Sequence, residues 1–191
     1  SNPMLIGIHY ISPMECALRL LAVCYAVDLI RPWLRAPERV WTAVLTLVSG
    51  HAELIRRRLS LHSPTPHDTL AAAAALIYAG SLFPEMEHAE RWLAFGRYLL
   101  EEETPRHISH DGGGLEQGFG YLQFSTDLYG LVLALLDHRQ QPVPDKVRLM
   151  FDRSRSFLGE FRHPADGSLP RIGEGDQGTA LSPHLRFPAP G

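Results

Sequence analysis

The stretch TPHDTLAAAAALIYAG, Thr65–Gly80, reads as a helix from end to end and decides the fold class. Thr65 is placed to act as N-cap, and Pro66 takes the first helical position, where a missing N–H costs nothing. Asp68 sets negative charge in the first turn, and Gly80 is the residue expected just past a helix end. Between them Ala71–Ala75 offer only methyl groups, so a second helix can approach closely. Antiparallel helical hairpins are the expected packing.

The same punctuation recurs on both sides. SPMECALRLLAVCYAVDLI (Ser12–Ile30) has Ser12 as cap, Pro13 at the first position and Glu15 completing a capping box, with Pro32 just beyond its end. Further helices are predicted from about Pro37 to Leu61 and over Pro84–Glu103, the latter stopped by Pro105. Another contains Tyr121 and runs to about His138, and PDKVRLMFDRSRSFLGEF makes a sixth. Short links between helices favour antiparallel neighbours, so three pairs and an all-α fold are predicted. From His163 onward proline and glycine replace the helical period. Residues 1–162 therefore read as one helical domain and 163–191 as an extended tail or linker leading away from it.

Composition narrows the function classes. The chain has 191 residues, 18 Lys+Arg against 21 Asp+Glu and a formal net charge of -3, which suits a soluble domain with its own core and argues against a nucleic-acid surface. The one dense basic run, Arg56–Arg58, falls at a predicted helix end, where cations favour the dipole. Apolar stretches such as Ala22–Ile30, interrupted by Asp28, stop short of the ~20 residues that cross a bilayer. Cys16 and Cys24 sit on one helix, too far apart at ~1.5 Å rise per residue to bridge, and read as core thiols. Ser1 and Asn2 read as a cloning remnant rather than the start of a signal sequence.

DGGGLEQGFGYLQFSTDLYG, Asp111–Gly130, raises a different question. Glycine costs about 1 kcal/mol in a helix interior relative to alanine, so Gly118 and Gly120 weaken the turn that presents Tyr121. At i, i+4 spacing Gln117, Tyr121 and Ser125 would share a polar face, while Phe119, Leu122 and Leu133 turn toward the core. Such a stripe fits a cleft wall; its plain alternative is a solvated helix face.

SPMECALRLL, PHDTLAAAAALIYAGSLFPE with WLAFGRYLLEEE, the Asp111–Gly130 stretch and LPRIGEGDQG follow one another as do motifs of the heparinase II/III-like polysaccharide lyases, which the chain resembles from Ser12 to Gly178. The resemblance implies the later part of an incomplete (α/α) toroid, ending where a β-sandwich domain would begin. It also implies β-elimination on a uronate-containing acidic polysaccharide: the carboxylate is neutralised, a base removes the C5 proton and an acid protonates the leaving oxygen at C4. The family's tyrosine falls on Tyr121, with Glu116 as the acidic residue of that motif, Gly118 where serine is usual and Leu122 in place of histidine. Its Asn-His pair falls on Pro66 and His67, so the asparagine is lost.

His67 and Tyr121 are the expected catalytic pair, facing a common cleft. In the first turn of a helix, His67 meets the positive end of the dipole, which disfavours imidazolium; tyrosine, with an ordinary pKa of about 10, keeps a proton to donate. Glu116, Gln117, Ser125 and His110 are the expected substrate contacts. HISHD (His107–Asp111) reads as a surface loop rather than a metal box, so no metal and no cofactor is expected, and His62 and His67 are separated by prolines. Arg171, Glu174 and Asp176 read as a turn. Trp33, Trp41 and Trp92 are either sugar platforms or packed residues.

The resemblance implies a periplasmic or secreted location. A non-catalytic helical scaffold for a glycan or a partner protein is the second reading, favoured by the lost asparagine and histidine. Three helix pairs make only part of a toroid, so the chain is expected to need the remainder of a longer polypeptide, or self-association through exposed apolar patches, for efficient catalysis.

Overall fold

The computed structural model describes residues 10–33, 35, 37–59, 66–173 and 180. Six α-helices occur among them: α1 (Pro13–Ile30), α2 (Pro37–Arg58), α3 (Pro66–Leu82), α4 (Ala89–His107), α5 (Phe119–His138) and α6 (Asp145–Glu160), with a 3-10 turn at Arg31–Trp33. The described residues contain no β-sheet; the single β-type contact is an isolated antiparallel bridge between Ile108 and Gly114. The fold is all-α, with antiparallel helical packing as expected of part of an (α/α) toroid. Packing divides the chain into two compact units, Ser1–Leu99 and Leu100–Gly191.

In the first unit the Ser12 hydroxyl accepts the Glu15 amide at 3.3 Å, so the predicted cap starts α1. α1 and α2 run antiparallel: Arg58 bonds the Tyr10 carbonyl just before α1, and Arg19 Nη1 lies 3.2 Å from His51 Nε2. Burial lowers the His51 pKa, and its Nδ1 bonds the Leu47 carbonyl at 2.9 Å, which leaves Nε2 as the acceptor for Arg19. α1 meets α3 through the Tyr25 and Tyr78 hydroxyls, 2.6 Å apart. Cys16 and Cys24 are buried thiols outside any disulfide, the core thiols expected.

The alanine run does what its size allows. Ala71–Ala75 are fully buried, and a Cβ placed on Gly96 would come 2.8 Å from the Ala73 carbonyl oxygen and 2.9 Å from Ile77. Likewise a Cβ on Gly80 would come 2.5 Å from the Ala89 carbonyl oxygen. The late part of α3 thus meets the start of α4, the antiparallel order predicted. This closeness also corrects two helix limits. α3 continues past Gly80 to Leu82, and Pro84–His88 is not helical: Met86 N–H bonds Phe83 O at 3.1 Å and Ala89 N–H bonds Met86 O at 3.0 Å, forming the tight turn that two touching helix ends require.

Pro105 does not stop α4, which runs on to His107. Proline lacks the N–H that would reach back to residue 101, a loss tolerated this close to the helix end. Thr104 Oγ1 bonds the Leu100 carbonyl at 2.6 Å beside it. The expected cap Thr65 and the expected end of α2 at Leu61 lie outside the described residues; α2 ends at Arg58.

In the second unit α5 and α6 form an antiparallel ladder with three rungs. Phe119 stacks on Phe157 with ring centroids 6.2 Å apart, the buried Thr126 and Ser154 hydroxyls are 2.5 Å apart, and Asp137 holds Arg148 at 2.6 and 3.1 Å. Around the middle rung Leu122, Leu128, Tyr129, Val132, Leu136, Val147, Phe151 and Leu158 are buried, each such side chain worth about 1.5–3 kcal/mol. By length and composition α5 is apolar enough to cross a membrane, unlike the shorter stretches noted from sequence, yet most of it is buried inside the unit, as in a core helix.

The expected tail is described only in its first part and at residue 180. Its described residues 163–173 carry no helix, and His163 and Ser168 close a turn through a 2.8 Å amide-to-carbonyl bond. Up to Gly173 the segment lies against the start of α5, where Phe119 N–H donates to the Ile172 carbonyl at 3.4 Å.

Candidate functional site

The loop between α4 and α5 is built by its backbone. Leu115 N–H bonds the His107 carbonyl at 3.0 Å and Ser109 N–H bonds Gly113 O at 2.8 Å. Asp111 accepts the Ser109 hydroxyl and the Gly113 N–H, and these bonds hold its carboxyl below the usual range. Gly112 has φ +94, and a Cβ there would collide with the Arg153 carbonyl on α6. The glycines let this loop lie directly on α6.

Five of the six expected site residues fall in the second unit. His110 is exposed at the loop tip, its carbonyl taken by Arg153 Nη1 at 3.0 Å; Glu116 is half-buried and Gln117 exposed. Tyr121, half-buried, is the third residue of α5. The polar stripe needs correcting at both ends. Gln117 precedes the N-cap Gly118 and has φ 56, so it stands outside the helix and shares no helical face with Tyr121. Ser125 does lie one turn beyond Tyr121, but it is only 3% exposed and belongs to the packed interior. Leu122 and Leu133 are buried as expected.

His67, the sixth, is the second residue of α3 in the first unit, with Nε2 3.5 Å from Asp68 Oδ1. His107 is not on a surface loop: it is buried at the end of α4, edge-on to Tyr129 at 6.4 Å between ring centroids. No group of metal-ligating side chains occurs among the described residues. Trp92 is packed and donates to Glu53 Oε1 at 2.9 Å, whereas Trp33 is exposed and Trp41 half-buried. Arg171 is exposed; His62, Glu174 and Asp176 lie outside the described residues.

Sequence reasoning passed over a relay on α5. Gln123 donates to Asp127 Oδ1 at 2.6 Å and accepts from Arg162 Nη2 at 2.5 Å, while Arg162 Nη1 bonds the Gly167 carbonyl at 2.9 Å. Burial pushes the Asp127 carboxyl up to about 6, against the opposing pull of Gln123 and the Arg162 charge. The i, i+4 spacing of Gln123 and Asp127 was the signal available. Phe157 and Phe161 were missed in the same way; with Phe119 they form an aromatic cluster at the start of α5, centroids 4.9 to 6.2 Å apart.

With this geometry in view, the family is plain. The heparinase II/III N-terminus family matches residues 14–182, and the chain belongs to it. It is 28% identical over 97 residues to a heparin-sulfate lyase of Bacteroides thetaiotaomicron, a match covering 50% of this chain and 14% of that protein. A solved heparinase III gene product superposes with a TM-score of 0.65 at 24% identity, covering 83% of this chain and 24% of the other. A second solved heparinase III gives a TM-score of 0.70 at 20% identity, covering 84% and 25%. These likenesses show the fold, and the chain spans about a quarter of each solved relative.

Proposed function

We propose that the chain is the lyase-toroid portion of a polysaccharide lyase and contributes a base, His67, and an acid, Tyr121, to β-elimination on a uronate-containing polysaccharide. The supporting observation is Tyr121 itself, half-buried in the first turn of α5 beside a loop that carries His110, Glu116 and Gln117. His67 Nε2 lies 3.5 Å from Asp68 Oδ1, and the neutral imidazole of His67 supplies one unprotonated ring nitrogen as the base. That nitrogen takes the C5 proton, the electron pair forms the C4–C5 double bond, and the C4–O bond breaks as the Tyr121 hydroxyl protonates the departing oxygen. His110, Glu116 and Gln117 contact the sugar. Pro66 cannot neutralise the uronate carboxylate, so another group does so.

The name of the Bacteroides relative makes heparin sulfate the first polymer to test, followed by other uronate polymers and by the longest polypeptide that carries this chain. Ultraviolet absorbance of the unsaturated product is the readout. Tyr121→Phe and His67→Gln should each lower kcat by roughly 10²–10⁴-fold, the usual contribution of a positioned acid or base. Absence of product from every polymer, alongside measurable glycan binding, would instead support the non-catalytic scaffold, a reading favoured by Pro66 and Leu122 at the positions of the family's asparagine and histidine.

A further inference from the structure

We infer that Ile172 and Gly173 are positioning residues for Tyr121: the tail backbone closes on the first turn of α5 and fixes the start of the helix that carries the phenol. The catalytic part of this inference rests on the function proposed above. α5 begins without help from a side chain, because its N-cap is Gly118, in extended conformation at φ -132 and ψ 130, with no side-chain cap hydrogen bond. The first N–H groups of a helix have no partner within it. Here Phe119 N–H finds the Ile172 carbonyl at 3.4 Å, so the tail supplies a backbone cap from a distant part of the sequence.

Gly173 makes that approach feasible. Its φ is +82, a region side chains rarely adopt, and a Cβ on it would collide with the Gln117 carbonyl and stand 2.8 Å from Gly118 Cα. Both obstacles are backbone, so no rotamer change relieves them. Gln117 is itself left-handed at φ 56, and its N–H bonds the Gly114 carbonyl at 3.1 Å. The Phe119 ring meanwhile stacks on Phe157 and packs at a tilt against Phe161. The residue two positions before Tyr121 is therefore held by its backbone to the tail and by its ring to α6. The RIG portion of the tail motif acquires a role without touching substrate: glycine is required for contact, not for a free turn.

Gly167 is the control the chain provides, since it has φ +70 but nothing within 4 Å of its Cβ position. Gly167→Ala introduces backbone strain alone, whereas Gly173→Ala adds the collision. Hydrogen exchange of the Phe119 amide and NMR of 13C-labelled tyrosine compare both variants with the wild-type chain. Gly173→Ala should speed Phe119 exchange at least ~10-fold and shift the Tyr121 ring signal; Gly167→Ala should do neither. Pro170→Gly, which adds no atom and loosens the segment, should produce a smaller change of the same kind and replaces Gly173→Ala if circular dichroism shows that variant unfolded. Signals unchanged from wild type in the folded variant used overturn the inference, as do signals that Gly167→Ala reproduces. Where the wild type forms unsaturated product, Gly173→Ala should lower kcat on the order of 100-fold with KM little changed, because small misplacements of a catalytic group carry that penalty; unchanged kcat overturns the positioning role. Where the wild type forms none, the lyase reading falls, and the exchange and tyrosine signals alone decide whether the tail positions α5.

Discussion

Trp92 Nε1–H donates to Glu53 Oε1 at 2.9 Å, and the same carboxylate receives Arg56 at 3.1 Å. Burial by itself would raise the Glu53 pKa, but the bonds from Arg56 and Trp92 outweigh it and bring the value down to about 2. A depressed carboxyl contributes stability above its ordinary pKa and loses it as pH falls toward the depressed one. The first unit should therefore weaken between pH 4.5 and about 2. Glu53→Gln should cost about 1–3 kcal/mol at neutral pH and flatten that acid slope, as followed by tryptophan fluorescence in urea.

Asp127 should behave in the opposite sense. Its carboxyl is raised from 3.8 to about 6, chiefly by burial, so the folded state binds a proton more tightly than the unfolded chain. The associated stability is present below pH 3.8 and lost as pH rises through about 6. Asp127→Asn keeps an oxygen for Gln123 and removes the buried charge. It should raise the urea midpoint at pH 8 and leave it unchanged below pH 3.8; a lower midpoint at pH 8 would contradict this account.

Two glycine substitutions should have opposite signs. Gly80→Ala drives a methyl group to 2.5 Å from the Ala89 carbonyl oxygen and should destabilise by roughly 1–3 kcal/mol, as overpacking does. Gly159→Ala adds a methyl group to α6 with nothing within 4 Å and should stabilise by about 0.5–1 kcal/mol through helix propensity. Thermal unfolding of both variants checks the pair.

Leu29, Ile30 and Trp33 are 70%, 46% and 76% exposed at the end of α1 and in the turn after it. Adjacent apolar side chains of this size favour association. The chain should sediment above its monomer mass at high concentration, and Leu29→Ser with Trp33→Ser should shift it toward monomer. A monomer at all concentrations would rule this out.

The helices were legible where the signal is local. Pro13 and Pro66 mark their starts because proline at the first position is a chemical preference of the helix itself, and Ala71–Ala75 announce close packing because methyl groups leave little else between two backbones. Gln117 was misread because helical spacing was extended across Gly118, where the chain is extended rather than helical. Ser125 was given to a cleft because hydroxyl chemistry alone does not reveal burial. Pro84–His88 looked helical by composition, yet the approach of α3 to α4 decides that segment. The docking of Ile172 on Phe119 left no trace in side-chain pattern, since backbone atoms make the bond.

The α5–α6 ladder combines three kinds of force along one helix pair: stacked rings beside Tyr121, a hydroxyl pair in the middle and an ion pair between Asp137 and Arg148 at the far end. Only the last is both charged and exposed, and only it is screened by salt. Raising ionic strength should therefore fray the pair from the end remote from the phenol, leaving the aromatic end closed. The salt-sensitive seam of this helix pair thus lies at the end remote from Tyr121.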